Sequence, residues 1–554
     1  MLIRDEIISL LEQALKSAEH AGAISSVPNH TISVEHPNRQ EHGNFSSNLP
    51  LKIQGLVKIK ALDLAEIIIA HIPTHSAVER VEIAPPGFIN FFLGDKWVAQ
   101  QASVIARDNS FGQIPIEGER SIQIEYVSAN PTGPIHVGNG RGAAIGSSLA
   151  NTFKFNGYQV QQEYYINDAG NQVLIFGQTL YARYLQAHGK EASLPDNGYP
   201  GSYMIDLAQE IKNQFGGDFL EQNNDSVIEE IGIIGIEIMI KQIEIDLKQI
   251  GVEFDSWFSE KSLMEEDGQY GQIMSILTEK NQITERDGAV WFTSSELGES
   301  KDNVLVRSDG TPTYYATDIA YHYEKFIDRK FDRVIDIWGA DHQGHVSRLK
   351  AAIDSVGGNS EGLDVLLYQL VTLRRGDEIV PLSKRAGEIV TLANVVAEVG
   401  EDAARYFFLA TGANQPMEFD LELAVKQSDD NPVYYIQYAH ARISSILNLA
   451  AQQKLDAKNA NTDLLTDPAE IKLIVSLLLF PEIVERVLSD LAPHHLAHYS
   501  RELAAAFHNF YGQCRVVQIE DPELSSSRLL LLEATRNVLA RILDLMGISA
   551  PESM

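Results

Sequence analysis

Cysteine is nearly missing from this chain: Cys514 stands alone among 554 residues. That excludes an internal disulfide and any zinc or iron–sulfur centre built on several thiolates. Long apolar runs are missing too, none approaching the roughly 18 residues that a bilayer crossing needs. The opening MLIRDEIISLLEQALKSAEH mixes acids and bases with leucines at helical spacing, which predicts a folded helix and no signal peptide. A cytoplasmic protein with no membrane partner is expected. Positive charge is scarce, 44 Lys and Arg against 76 Asp and Glu, for a formal net charge of −32. Taken alone, that argues against a nucleic-acid partner. The excess is uneven, however. Residues 1–110 hold 9 Lys/Arg against 12 Asp/Glu and residues 431–554 hold 10 against 14, so the acid is concentrated between them. Solvated acidic helices account for most of it, and an acidic centre also suits a small cationic substrate. Internal repeats and low-complexity tracts are not found.

What is present is an ordinary globular composition, 44% hydrophobic and 22% charged, with length for three or four domains. Residues 1–112 read as a small α+β domain. They contain an amphipathic helix, a helix near 61–71, and the strand pair RVEIAPPGFINFFL closed by a Pro-Pro-Gly turn. Residues 113–430 alternate strands and helices: SIQIEYVSA, a helix over 140–157, YQVQQEYYIN, a long helix over 225–250, FDRVIDIWGAD and DVLLYQLVTL. Such alternation predicts a Rossmann-like parallel sheet with ligands at the carboxyl ends of its strands. Residues 431–554 are helical in pattern to the end, through IKLIVSLLLFPEIVERVLSDL, LAHYSRELAAAFHNFYGQC and SRLLLLEATRNVLARILDLMG. The fold class is therefore multidomain α/β, with an N-terminal α+β domain and a C-terminal all-α helical bundle.

Chemistry concentrates in three places. IEYVSANPTGPIHVGNGRGAAIG, residues 124–146, runs from a strand through a Gly/Pro turn into a small-residue helix. A helix mouth there offers free N–H groups and a positive dipole end to an anion, with Gly138 and Gly140 allowing close approach and His136 and Asn139 donating. Its spacing fits neither G-x-G-x-x-G nor the P-loop. IVPLSKRAGEIVTL sets Leu382, Ser383, Lys384 and Arg385 before Gly387 in a loop suited to a departing polyphosphate. Either stretch alone would pass for a tight turn or a surface loop. Third, Tyr314 and Asp318 lie four apart, on one face of a helix, while Glu125 and Asn130 end the strand beside the helix mouth. Two carboxylates and a tyrosine hydroxyl suit a guanidinium, a planar fork of five donors.

His136-Val137-Gly138-Asn139 resembles the HIGH motif of class I aminoacyl-tRNA synthetases, and Leu382-Ser383-Lys384-Arg385 resembles their KMSKS loop. The blocks EYVSANPTGPIHVGNGRG, GVEFDSWFSE, VRSDGTPTYYATDIAYH and WGADHQGH resemble the arginyl-tRNA synthetase family in particular. The front unit, through HGNFSSNLPLKI, resembles that family's tRNA-binding domain, and the ending its anticodon-binding bundle. Two positions depart from the pattern: Asn139 stands where HIGH has its second histidine, and Pro381 where KMSKS has its first lysine. The resemblance implies an arginine–tRNA ligase, an ATP-dependent enzyme that forms arginyl-adenylate and charges tRNA(Arg), usually as a monomer. It implies catalysis by His136, Asn139 and Lys384. ATP, with Mg²⁺, would be held by His136, Gly138, Asn139, His342, Leu382, Ser383 and Lys384. Glu125, Tyr314 and Asp318 would take the arginine side chain, and Asn130 and Asp341 its α-amino end. Tyr434, Gln437 and Tyr438 are candidates to meet anticodon bases, as aromatic and amide groups do with unpaired RNA. A protein-held metal is not expected: His342 with His345, and His494 with His495 and His498, lack further ligands at recognisable spacing. Two rival readings stay open, a nucleotidyltransferase without tRNA and a non-catalytic RNA-binding relative. The extra domains count against the first and the intact arginine pocket against the second.

Overall fold

The structure, a computed structural model, describes every residue except 1, 29, 117, 119, 221–224, 300, 382, 386 and 387. At the front, the helix Ile3–His20 buries Ile7, Leu10, Leu11, Ala14 and Leu15, a stripe at helical spacing. It packs on the helix Ala61–Ala70, which lies against an antiparallel sheet in which Phe88–Leu93 runs between Phe45–Ser47 and Val78–Ala84. The central strand is buried along almost its whole length, as its run FINFFL requires.

Five parallel strands form the middle of the molecule: β1 (Ser121–Tyr126), β2 (Gln159–Ile166), β3 (Ser256–Ser259), β4 (Arg333–Gly339) and β5 (Leu363–Tyr368). Their order is β5-β4-β1-β2-β3. The chain runs outward from β1 to β3 and then returns to β4 on the other side, so the sheet's switch point lies between β1 and β4. Helix α1 (Val137–Phe155) crosses from β1 to β2 and is buried along most of its length, which explains its small residues. Between β2 and β3 the helices α2 (Asn171–Ala187), α3 (Tyr203–Phe215) and α4 (Asp225–Lys248) pack around their own core of Phe176, Leu180, Tyr184, Met204 and Ile236. Between β3 and β4 comes a three-stranded antiparallel sheet, followed by α5 (Tyr314–Tyr323). The ending is all helical: α6 (Pro432–Gln452), α7 (Pro468–Leu478), α8 (Phe480–Asp490), α9 (His494–Gln513) and α10 (Pro522–Met546).

Three elements differ from the sequence pattern. The helix expected from Gly140 starts at Val137, taking Gly138 and Asn139 into its first turn. DVLLYQLVTL is not one strand. It breaks after Tyr368, and Val371–Arg375 joins a separate sheet between Glu378–Val380 and Met417–Asp420. The apolar run IKLIVSLLLFPEIVERVLSDL divides into α7 and α8 at Leu479, because Pro481 lacks an N–H and is accommodated only in the first turn of a new helix.

Two buried arginines tie these parts together. Arg141 of α1 donates to the carbonyls of Gln369, Thr411, Gly412 and Gln415. Arg405 donates to Met546 O of α10 at 2.7 Å, Ile250 O beyond α4 at 2.5 Å and Ser147 Oγ of α1 at 2.8 Å. Burial lowers the pKa of each to about 10, with Tyr126, Glu401 and Asp402 opposing it at Arg405.

Candidate functional site

At the carboxyl edge of the parallel sheet, His136 caps α1, its Nδ1 accepting the Gly138 N–H at 3.0 Å. That nitrogen therefore carries no proton, and burial lowers the ring's pKa. A neutral imidazole results, with its hydrogen on Nε2 and free to be donated. Asn139 bonds the hydroxyl of Tyr368 at the end of β5; burial pushes that phenol up to about 12, with Asn139 opposing. Gly140 does not serve ligand approach. A Cβ there would overlap Leu392 and lie 3.0 Å from the Phe408 ring, so this glycine lets two helices pack behind α1.

The second motif is a short hairpin, Ser383–Arg385 against Glu388–Ile389, and Leu382 falls outside the described residues. The strand leaving it runs beside the residues that lead into α1. Val137 N–H donates to Val390 O at 3.1 Å, and Leu392 N–H donates to Ile135 O at 2.9 Å. Two backbone hydrogen bonds thus join motifs that are remote in sequence, and put the backbone of Ser383 and Lys384 near the helix mouth.

Next to this edge is a set of acids, Glu125 and Glu260 buried and Asp318 half-buried. Glu125 of β1 is 6% exposed. Beyond it the chain turns with Val127 at φ +70° and Ser128 at φ +40°, a strained exit for a β-branched residue. The turn lets the Ser128 hydroxyl donate to Glu125 Oε1 at 2.9 Å and accept the Tyr165 N–H at 3.1 Å. Glu125 Oε2 is engaged by Lys325 at 2.7 Å. Asp318 of α5 and Glu260, which follows β3, have no cationic partner among the described residues. Burial pushes Asp318 up to about 7, with His322 opposing and Glu125, Glu260 and Asp336 adding to the effect. Burial likewise raises Glu260, which is 5% exposed and has an Oε2 without a hydrogen-bond partner. A buried carboxylate and a half-buried one, with no cation beside them among the described residues, are costly unless a cation joins them.

The other expected residues lie further out. Tyr314 begins α5 one turn before Asp318 and is exposed, at the mouth and not within the acid set. Asn130 is exposed, its amide donating to Gln172 Oε1 at 2.8 Å. Asp341 and His342 sit in the exposed turn after β4, 3.5 Å from each other. On α6, the Tyr434 and Tyr438 rings lie 6.2 Å apart and 8° from parallel, and Tyr438 also stacks on His508. Gln437 between them is buried, and its amide is committed to Asp402 at 2.7 Å and to Ser549, so its place is at the joint between α6 and the chain's end. Sequence reasoning missed Glu260, Tyr368 and Lys325. Glu260 stood in GVEFDSWFSE as an acid ending a strand-like run, the one local signal for it.

Family models match along the chain in three parts: an arginyl-tRNA synthetase N-terminal domain over residues 5–93, a class I (R) tRNA synthetase catalytic domain over 100–414, and a DALR anticodon-binding domain over 436–554. The chain is 52% identical to an arginine–tRNA ligase of Dehalococcoides mccartyi, covering 100% of this chain and 99% of that protein. It is 44% identical to one of Carboxydothermus hydrogenoformans over the same shares. The arginyl-tRNA synthetase of Thermus thermophilus superposes with a TM-score of 0.79 at 22% identity, covering all of both chains, a likeness of fold.

Proposed function

The chain belongs to the arginyl-tRNA synthetase family, and we propose that it is an ATP-dependent arginine–tRNA ligase whose amino-acid pocket is the acid set around Asp318 and Glu260. The observation that carries the pocket is a pair of carboxylates, half-buried Asp318 and buried Glu260, left without a cation among the described residues at the carboxyl side of the sheet from which α1 also starts. Arginine's guanidinium enters there and lies against Asp318 and Glu260, with Tyr314 over the mouth and Glu125 at the floor. Asn130 and Asp341 serve the α-amino group. ATP, entering with Mg²⁺, sets its phosphates at the start of α1, where the His136 Nε2–H, Asn139 and the first-turn amides donate. Gly138, His342 and the segment Leu382–Lys384 complete the nucleotide site.

The arginine carboxylate attacks the α-phosphorus, a P–O bond forms as that to pyrophosphate breaks, and Lys384 stabilises the departing charge. The 2′-hydroxyl of the terminal tRNA adenosine then attacks the arginyl carbonyl and AMP leaves. The domains divide as 1–112, 113–430 and 431–554, with tRNA(Arg) spanning all three and the enzyme acting as a cytoplasmic monomer. Supporting a role in tRNA binding, the front domain has a cavity of about 320 Å³ whose lining includes Glu35, Asn38, Ser46, Asn48, Phe88 and Asn90, with amides and an aromatic ring among the groups that an unstacked base uses. The Tyr434–Tyr438 stack supports an anticodon contact in the same way.

Asp318→Ala and Glu260→Gln test the pocket. Each is expected to raise the arginine KM by about tenfold or more while the ATP KM stays within about twofold. Steady-state aminoacylation measures both constants, and equal damage to the two refutes the assignment.

A further inference from the structure

Beneath the acids open to substrate lies a cation that belongs to the protein. Lys325 has no exposed surface. Its Nζ is 2.7 Å from Glu125 Oε2 and 2.9 Å from Asp336 Oδ1, and stands 4.0 Å from the centre of the Tyr321 ring. Glu125 and Asp336 are register partners on β1 and β4. Neighbouring strands lie about 4.8 Å apart, so the two carboxylates are held side by side on one face of the sheet, where ionised together they would repel. Burial alone would raise the Asp336 carboxyl, but Lys325 and His322 outweigh it and hold it at about 2.

The contacts continue upward. Asp336 Oδ2 meets His322 Nε2 at 2.7 Å, and His322 Nδ1 meets the backbone carbonyl of Asp318 at 2.7 Å. A chain of polar contacts from Lys325 through Asp336 and His322 thus ends on the turn of α5 that carries Asp318. Lys325 itself sits where α5 widens into a π turn over Glu324–Asp328, a distortion found often at functional sites. A buried ion pair is a poor source of stability compared with an apolar filling, so a lysine in this place asks for another explanation.

We propose that Lys325 is a positioning residue for arginine: its ammonium, clamped between Glu125 and Asp336 under the pocket floor, fixes Glu125 and the helix turn bearing Asp318 in the arrangement that receives the guanidinium. The inference rests on the arginine pocket proposed above. With Lys325 in place, both oxygens of Glu125 and of Asp336 are engaged. The carboxylate oxygens left for a substrate are then those of Asp318 and Glu260, across which the five donors of one guanidinium can reach.

Lys325→Met in the full chain, compared with Asp318→Asn, tests this. The KM for arginine and for ATP would be measured separately in aminoacylation. Lys325→Met is expected to raise the arginine KM by about tenfold or more with the ATP KM within about twofold, the pattern of a lost arginine-specific interaction. A role in stability alone would lower the active fraction and the melting temperature and leave both constants unchanged. That result, with Asp318→Asn still selective for arginine, overturns the role of Lys325 and leaves the pocket standing. If Asp318→Asn also leaves the arginine KM unchanged, the pocket reading falls and this inference with it. Should Lys325→Met fail to fold, Lys325→Met combined with Asp336→Asn removes one charge of each sign, and the same two constants decide.

Discussion

Asp318 shows what burial does to a single carboxyl. At about 7, its pKa lies far above the ordinary range, so the arginine-free enzyme at neutral pH holds it partly protonated. A guanidinium pairs with the ionised form, and arginine binding therefore expels a proton. Raising the pH from about 6 to about 8 increases the ionised fraction and is expected to lower the arginine KM, with the ATP KM flat. The same shift acts on stability. An acid with a raised folded pKa binds its proton more tightly in the folded state, so the free enzyme is expected to lose stability from about pH 4 to about pH 7. Bound arginine, by pairing the charge, should restore it. Melting curves with and without arginine across that range check the sign. Asp318 was legible because it stood one helical turn from Tyr314 within a recognisable block. Glu260 and Lys325 were not, since an acid after one strand reaches Asp318, and a lysine past a helix reaches Glu125 and Asp336, only once β1, β3, β4 and α5 pack together.

At the scale of elements, α1 carries most of the design. Its capping histidine keeps one N–H, on Nε2, to donate, and its interior glycines let it sit close to its neighbours. A Cβ on Gly146 would land inside the Tyr126 ring of β1. Gly146→Ala is therefore expected to destabilise the protein by about 1–3 kcal/mol through overpacking, read as a lower melting temperature, in spite of alanine's better helix propensity. An unchanged or higher melting temperature would mean that α1 can shift away from the sheet. The alternation of strands and helices was plain in the sequence because 2.0 and 3.6 periods differ. The break in DVLLYQLVTL was not, because an apolar run reads the same whichever sheet it joins. Here Gln369 is taken out of the strand by tertiary bonds, its N–H to Ala413 O and its carbonyl to Arg141. The division at Leu479 was more visible, since Pro481 stood within the helical pattern.

Across the whole molecule, coupling between distant parts passes through buried cations. Arg405 holds the last turn of α10 to α1 and to the end of α4 by hydrogen bonds to Met546, Ser147 and Ile250. Arg405→Met leaves those acceptors unpaired and is expected to cost about 3 kcal/mol or more, with loosening of the C-terminal bundle that limited proteolysis would detect. A variant as stable and as protease-resistant as the natural chain contradicts that. The net charge of −32 sets a further condition on an enzyme that acts on tRNA. Charging of bulk tRNA by the purified protein, with ATP, Mg²⁺ and each of the twenty labelled amino acids in turn, decides whether this chain is an arginine–tRNA ligase. Esterification of arginine alone is the expected result. Charging with another amino acid, or with none by folded protein and intact tRNA, would rule that activity out.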